Sequence, residues 1–128
     1  EGVARALYCD ATDEPQPQEV GLILNHEVGY SPDSLVGDDG LLEIKTKLPK
    51  FQIEVLLNGE IPDEHIPQCQ GGLWVSEREW IDFVSYWPGM PLFIKRAYRD
   101  DIMIRTIAER VEAFHEEMER RISQVMAA

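Results

Sequence analysis

The chain has 128 residues, 44% of them apolar and 28% charged, with three Trp, four Tyr and four Phe. This composition excludes a disordered tail, a collagen-like repeat and a low-complexity linker, and it fits one domain. Twenty-four acids against 12 bases give a net charge of −12, which excludes nucleic-acid binding by bulk electrostatics, because Lys and Arg must displace the counterions condensed on phosphate.

The charge is uneven. Residues 1–64 hold 14 acids and 4 bases, whereas residues 65–128 hold 10 and 8. Any activity on DNA needs a local reason to overcome that sign. No apolar run approaches the roughly 20 residues of a membrane-spanning helix. No charged-then-apolar signal peptide opens the chain. Cys9 and Cys69 are too few for a disulfide scaffold and wrongly spaced for a zinc site. A cytoplasmic, reducing setting fits, with both cysteines as small buried hydrophobes.

The chain starts without Met. Glu1, Ala4, Arg5 and Tyr8 read as a helix already under way, as if a longer protein had lost its N-terminal part. That helix is expected over residues 1–9. Residues 10–18 combine acids with Pro15 and Pro17 and predict a loop. Val20, Leu22 and Leu24 alternate as a strand, and residues 25–32 continue extended because Pro32 disfavours helix before it. Leu35-Val36 and Leu41 to Lys45 flank Gly37-Asp38-Asp39-Gly40, a strong turn signal between two strands. Leu42 and Ile44 fall on one face of the second strand; Leu41, Glu43 and Lys45 fall on the other.

Pro49 opens a helix over residues 50–58, closed by Asn58-Gly59. A second helix is expected from Pro62 and Asp63 to about Val75, with Pro67 tolerable only in its first turn. Trp80 to Tyr86 and Leu92 to Tyr98 predict two strands. Asp100 caps a last helix of about six turns, with a stripe of Ile104, Ile107, Val111, Phe114, Met118, Ile122 and Val125. This order predicts a single mixed α/β domain over 1–128, with a sheet between helices.

Asp33, Glu43 and Lys45 carry the chemistry. Glu43 and Lys45 are two apart on a strand, so both side chains leave the same face. The hairpin brings Asp33 alongside Glu43. Two carboxylates and an ammonium then converge at one end of a small sheet. Mg²⁺ needs only one or two carboxylates, often with a backbone carbonyl such as that of Ile44, because it keeps several waters. Such an ion neutralises a phosphodiester and lowers the pKa of a bound water, and a nearby lysine orients or deprotonates the attacking water. Taken alone, E-x-K on a strand is usually a solvated charge pair. The apolar strand and the tight hairpin raise its weight here.

The run from Tyr30 to Lys45, YSPDSLVGDDGLLEIK, closely resembles the YqaJ-like viral recombinases, phage-type exonucleases related to that of phage lambda. The likeness continues through Pro67-Gln68-Cys69-Gln70-Gly71-Gly72-Leu73-Trp74-Val75, through Trp80 to Tyr86, and through Met90 to Arg96. The resemblance implies a restriction-endonuclease-like core of the PD-(D/E)-x-K type, with a mixed β-sheet flanked by helices. It implies Mg²⁺-dependent digestion of linear double-stranded DNA from 5′ to 3′, with Mn²⁺ able to substitute. Asp33 and Glu43 would hold the metal with the Ile44 carbonyl, Lys45 would be catalytic, Gln68 would line the site, and Glu1 would approach the metal. Gln70 lies about 200° round the helix from Gln68 and would not share its direction. The family also implies a homo-oligomeric ring and a single-strand annealing protein as partner. It usually has Gly where Ser34 stands, and Cys-Pro where Thr46-Lys47 follows the lysine.

Lys47, Lys50 and Arg96 are the candidate DNA contacts, part of the basic positions Lys45, Lys47, Lys50, Lys95, Arg96 and Arg99. These would form one positive surface if their two strands were neighbours. Trp74 and Trp80 are expected in the core and Trp87 at a DNA or subunit contact. His26, His65 and His115 share no ligand spacing and are expected at the surface or in loops. The alternative is a catalytically inactive or truncated nuclease-fold module that acts in protein assembly.

Overall fold

A computed structural model of the chain describes residues 2–128; Glu1, expected near the metal, lies outside the described residues. The elements are α1 (Gly2–Ala11), β1 (Ile23–Asn25), β2 (Val28–Tyr30), β3 (Ser34–Val36), β4 (Gly40–Lys45), α2 (Pro49–Asn58), a 3-10 turn (Asp63–His65) leading into α3 (Ile66–Ser76), β5 (Trp80–Ser85), β6 (Phe93–Tyr98) and α4 (Asp101–Ala127). Four strands form one mixed sheet in the order β3-β4-β5-β6. The β4–β5 pair is parallel and its two flanking pairs are antiparallel. The parallel pair requires a crossover, which α2 and α3 supply. This is the expected α/β class, a mixed sheet flanked by helices.

Alternation on β4 divides the core. Leu41 packs with Val55, Cys69, Leu73 and Phe83 on the face covered by α2 and α3. Leu42 and Ile44 pack with Ala4, Tyr8, Val36 and Val84 on the face covered by α1. A strand at the centre of two layers is buried on both sides, which explains the apolar density around Glu43.

Three elements depart from the sequence expectation. The extended run over 25–32 is a hairpin, β1–β2, and it turns on His26-Glu27 with φ of 54° and 60°. Such a turn normally shows Gly or Asn at its centre, so the usual signal is missing. Asn25 compensates: its Oδ1 accepts from the His26 N–H at 3.0 Å and its Nδ2 donates to the Val75 carbonyl at 3.0 Å. The His26 ring stacks on Trp74 at 4.6 Å. The helix expected from Pro62 is a 3-10 turn followed by α3, so Pro67 falls in the first helical turn where its missing N–H costs nothing. The last helix has 27 residues, about 40 Å at 1.5 Å per residue. The Asp100 cap accepts from the Met103 N–H at 3.1 Å. Only Ile104 of its apolar stripe is buried; Phe114, Met118, Ile122 and Val125 are exposed.

The expected basic surface does not form. Strand β5 separates β6 from β4. Arg96 faces the α1 side, where it grips Asp82 through two bonds of 2.8 and 2.9 Å and Glu14 through one of 2.8 Å. Its guanidinium lies 3.5 Å from the centre of the Trp80 ring. Tyr8 Oη donates to Asp82 at 2.6 Å. Hydrogen bonding to Asp82 is the main reason the Arg96 pKa is raised, so its charge is permanent. Lys95 pairs with Glu60, and Arg99 donates to the carbonyls of Leu73 and Arg78.

Removing Arg96 would leave Asp82 buried without its cation. Breaking a fully buried pair costs roughly 3–5 kcal/mol, and the partial exposure of Arg96 reduces that. Arg96→Met is expected to lower unfolding stability by about 2 kcal/mol in urea titration, and a change below about 0.5 kcal/mol would contradict a structural role.

Candidate active site

The site begins with a register. Ser34 stands opposite Leu42, Leu35 opposite Leu41 and Val36 opposite Gly40. One step further back places Asp33 opposite Glu43. The turn that sets this register passes through Gly37 at φ +58°, a conformation that favours glycine. Arg78 Nη1 fixes the turn from outside by donating to the carbonyls of Gly37 at 2.8 Å and Gly40 at 3.1 Å.

At the open end of the hairpin, the Asp33 carboxylate accepts from the Ile44 backbone N–H at 2.6 Å. The side chain thus takes the place of a ladder acceptor and is held against β4. Arg5 of α1 fixes the backbone beside it, donating to the Asp33 carbonyl at 3.1 Å and to Ser34 Oγ at 2.9 Å. Ser34 Oγ in turn donates to the Asp33 carbonyl at 2.7 Å. Ser34 is fully buried, and its hydroxyl adds a constraint beside Asp33.

Glu43 is 6% exposed and points to the α3 side. Lys45 Nζ lies 3.5 Å from Glu43 Oε1. Burial, and then the charge of Glu43, push the Cys69 thiol up to about 12, so Cys69 remains a neutral thiol beside the carboxylate. Tyr30 lies on the same side. Burial first, then Glu43, Cys69 and Asp33, hold its hydroxyl protonated.

The donor set fits a hard divalent cation. Two carboxylates from facing strands, one backbone carbonyl at Ile44 and a neighbouring ammonium suit Mg²⁺, which uses few protein oxygens and retains water. Among the described residues no three His, Cys, Asp or Glu side chains form a full protein cage, and such a cage suits Zn²⁺ or Ca²⁺ better than Mg²⁺.

The remaining sequence candidates separate. Gln70 is buried and fastens α3 to the corner before α4, donating to the Tyr98 carbonyl at 2.9 Å and accepting from the Asp100 N–H at 2.9 Å. Gln68 is exposed, one turn before Gly72. Lys47 Nζ lies 2.9 Å from His65 Nε2, 3.7 Å from Glu64 and 4.7 Å from the centre of the Phe51 ring. Lys50 joins Lys47, Phe51 and Trp87 around an open groove of about 570 Å³. Arg96 is on the other face of the sheet and is not brought to the site.

His65 is the clear correction among the histidines. Expected at the surface or in a loop, it is 8% exposed, between Phe51 and Phe83. Nothing in its spacing marked it, because its partners come from other elements. Burial, and then the Lys47 charge, lower its pKa from 6.5. Between 6.5 and that lower value the unfolded chain binds more protons than the folded one, so stability falls as pH falls through this window. The wild type is therefore expected to lose more unfolding free energy from pH 7.5 to 5.5 than His65→Gln. Equal losses in denaturant titrations would contradict this assignment.

Comparisons with known proteins bear on the whole arrangement. Residues 1–79 match the YqaJ-like viral recombinase domain. The chain is similar to an alkaline exonuclease from Laribacter hongkongensis, solved alone and in complex with dAMP. Each match has 40% identity and a TM-score of 0.88, over 97% of this chain and 67% of that one. A phage-related exonuclease from Haemophilus somnus shares the fold, at 18% identity and a TM-score of 0.66, over 97% of this chain and 69% of that one. No curated protein matches significantly.

Proposed function

The chain belongs to the YqaJ-like viral recombinase family, and on that premise we propose that it is the nuclease core of a phage-type recombination exonuclease. The substrate is linear double-stranded DNA, degraded from 5′ to 3′. The ion is Mg²⁺, with Mn²⁺ able to replace it. The observation that carries this reading is the convergence at one hairpin: Asp33 against the Ile44 amide at 2.6 Å, and Lys45 at 3.5 Å from Glu43. The dAMP complex of the Laribacter enzyme supports a nucleotide substrate. The single domain would be the C-terminal major part of a longer exonuclease.

Asp33 and Glu43 would hold the cation with the Ile44 carbonyl. When bound, it would neutralise the scissile phosphodiester and acidify a water. The other tasks fall to the chain itself. Lys45 orients the attacking water and, as an ammonium, stabilises charge that develops on phosphate. Gln68, exposed on α3, would position the substrate. Arg5 and Ser34 keep the Asp33 carbonyl fixed, so the carboxylate does not drift from β4. Lys47 and Lys50 meet the DNA backbone along the groove beyond Lys45, and Trp87 offers an aromatic face there. Arg96 has no part in DNA binding in this proposal, because Asp82 and Glu14 already occupy it.

A ring of identical subunits and a single-strand annealing protein as partner belong to the same proposal, as does a cytoplasmic setting. The exposed apolar residues of α4 support assembly. No helix among the described residues is long and apolar enough to cross a membrane.

The test is cleavage of linear duplex DNA in Mg²⁺ beside Lys45→Ala and Glu43→Gln. Loss of activity by about 100-fold or more in each variant, and on chelation of the metal, is expected. Absence of both cleavage and cation binding in the wild type would favour the non-catalytic assembly module. A second measurement addresses the groove. Lys47→Ala or Lys50→Ala is expected to lower the salt dependence of DNA affinity by about one phosphate contact each, whereas an unchanged slope would remove that lysine from the interface.

A further inference from the structure

We propose that the Tyr30 hydroxyl is a positioning group of this site, hydrogen-bonded to a water that the bound cation retains; this rests on the metal reading given above. Tyr30 Oη is buried and, among the described residues, is the one buried side-chain nitrogen or oxygen without a hydrogen-bond partner. Folded proteins rarely leave a buried hydroxyl in that state, so each instance calls for a reason.

Its placement supplies one. Tyr30 ends β2, three residues before Asp33. Its ring lies directly on the backbone of Gly72 in α3. A Cβ at position 72 would stand 2.5 Å from Tyr30 Cζ and 2.7 Å from Oη, so only glycine admits the ring there. The hydroxyl is electrostatically coupled to Glu43 and Asp33, the two carboxylates that would hold the ion. Burial, then Glu43, Cys69 and Asp33, hold it protonated, so it acts as a donor. It donates to neither carboxylate. Tyr30 packs against the core cluster of Leu41, Cys69 and Phe83, on the side of the sheet to which Glu43 points, and a buried donor there without a protein partner is suited to an oxygen that the ion itself brings. Groups that hold a metal's waters or ligands in this way tune affinity without touching the ion.

Tyr30→Phe removes the oxygen and keeps the ring against Gly72. The measurement is calorimetric titration with Mn²⁺ in the absence of DNA, alongside thermal unfolding of the metal-free protein. The expected result is a roughly tenfold weaker Mn²⁺ dissociation constant with an unfolding temperature equal to or above that of the wild type, since no existing hydrogen bond is lost. A merely structural hydroxyl would give the opposite pattern, a lower unfolding temperature with Mn²⁺ affinity unchanged. Gly72→Ala, which crowds the same ring, is expected to weaken Mn²⁺ binding as well. Unchanged Mn²⁺ affinity in Tyr30→Phe overturns the proposal, and weaker DNA binding alone would assign the hydroxyl to a phosphate oxygen instead. Absence of Mn²⁺ binding in the wild type would overturn the metal reading itself, a distinct failure.

Discussion

One strand pairing holds the site together: β3 runs back along β4 so that residue 33 meets residue 43. Everything chemical follows from that register. A slip of one residue would send Glu43 and Lys45 to the α1 face and leave Asp33 opposite an apolar position. The fold guards against the slip on both sides of the hairpin. Gly37 sets the turn, Arg78 ties its carbonyls, and Arg5 ties the far end at Asp33 and Ser34. The Ile44 amide then fixes the carboxylate itself.

The sheet also separates two charged systems that the sequence presents side by side. Glu43 and Asp82 both sit in the middle of apolar strands, and each has a cation nearby. Strand alternation sends them to opposite faces. On the α1 face, Asp82 is closed off by Arg96, Tyr8 and a Trp80 ring, which is an arrangement for stability. On the α3 face, Glu43 has Lys45 at 3.5 Å, the two side chains that the proposed metal chemistry uses. The −12 chain thus keeps its few cations in defined places, and a bound ion would reverse the local sign where phosphate must approach.

Much of this was legible in the sequence. The hairpin was marked by Gly37-Asp38-Asp39-Gly40, and the shared face of Glu43 and Lys45 by strand alternation. Helix geometry set Gln68 and Gln70 about 200° apart, and Gln70 is engaged with the Tyr98 carbonyl and the Asp100 N–H. What escaped depends on partners far away in sequence. The β1–β2 turn has no glycine because Asn25 and a His26–Trp74 stack support it. Arg96 looked like a DNA contact because its carboxylate partners, 14 and 82 residues distant in one case and the other, leave no local pattern. His65 and Tyr30 acquire meaning only when α3 closes over the sheet.

The central claim is that Asp33 and Glu43 grip one divalent ion. Anomalous diffraction from crystals of the protein grown with Mn²⁺ tests it most directly. The account predicts a single strong peak within coordination distance of both carboxylates, near the Ile44 carbonyl. No peak there at saturating Mn²⁺, or a peak that touches neither carboxylate, would contradict it.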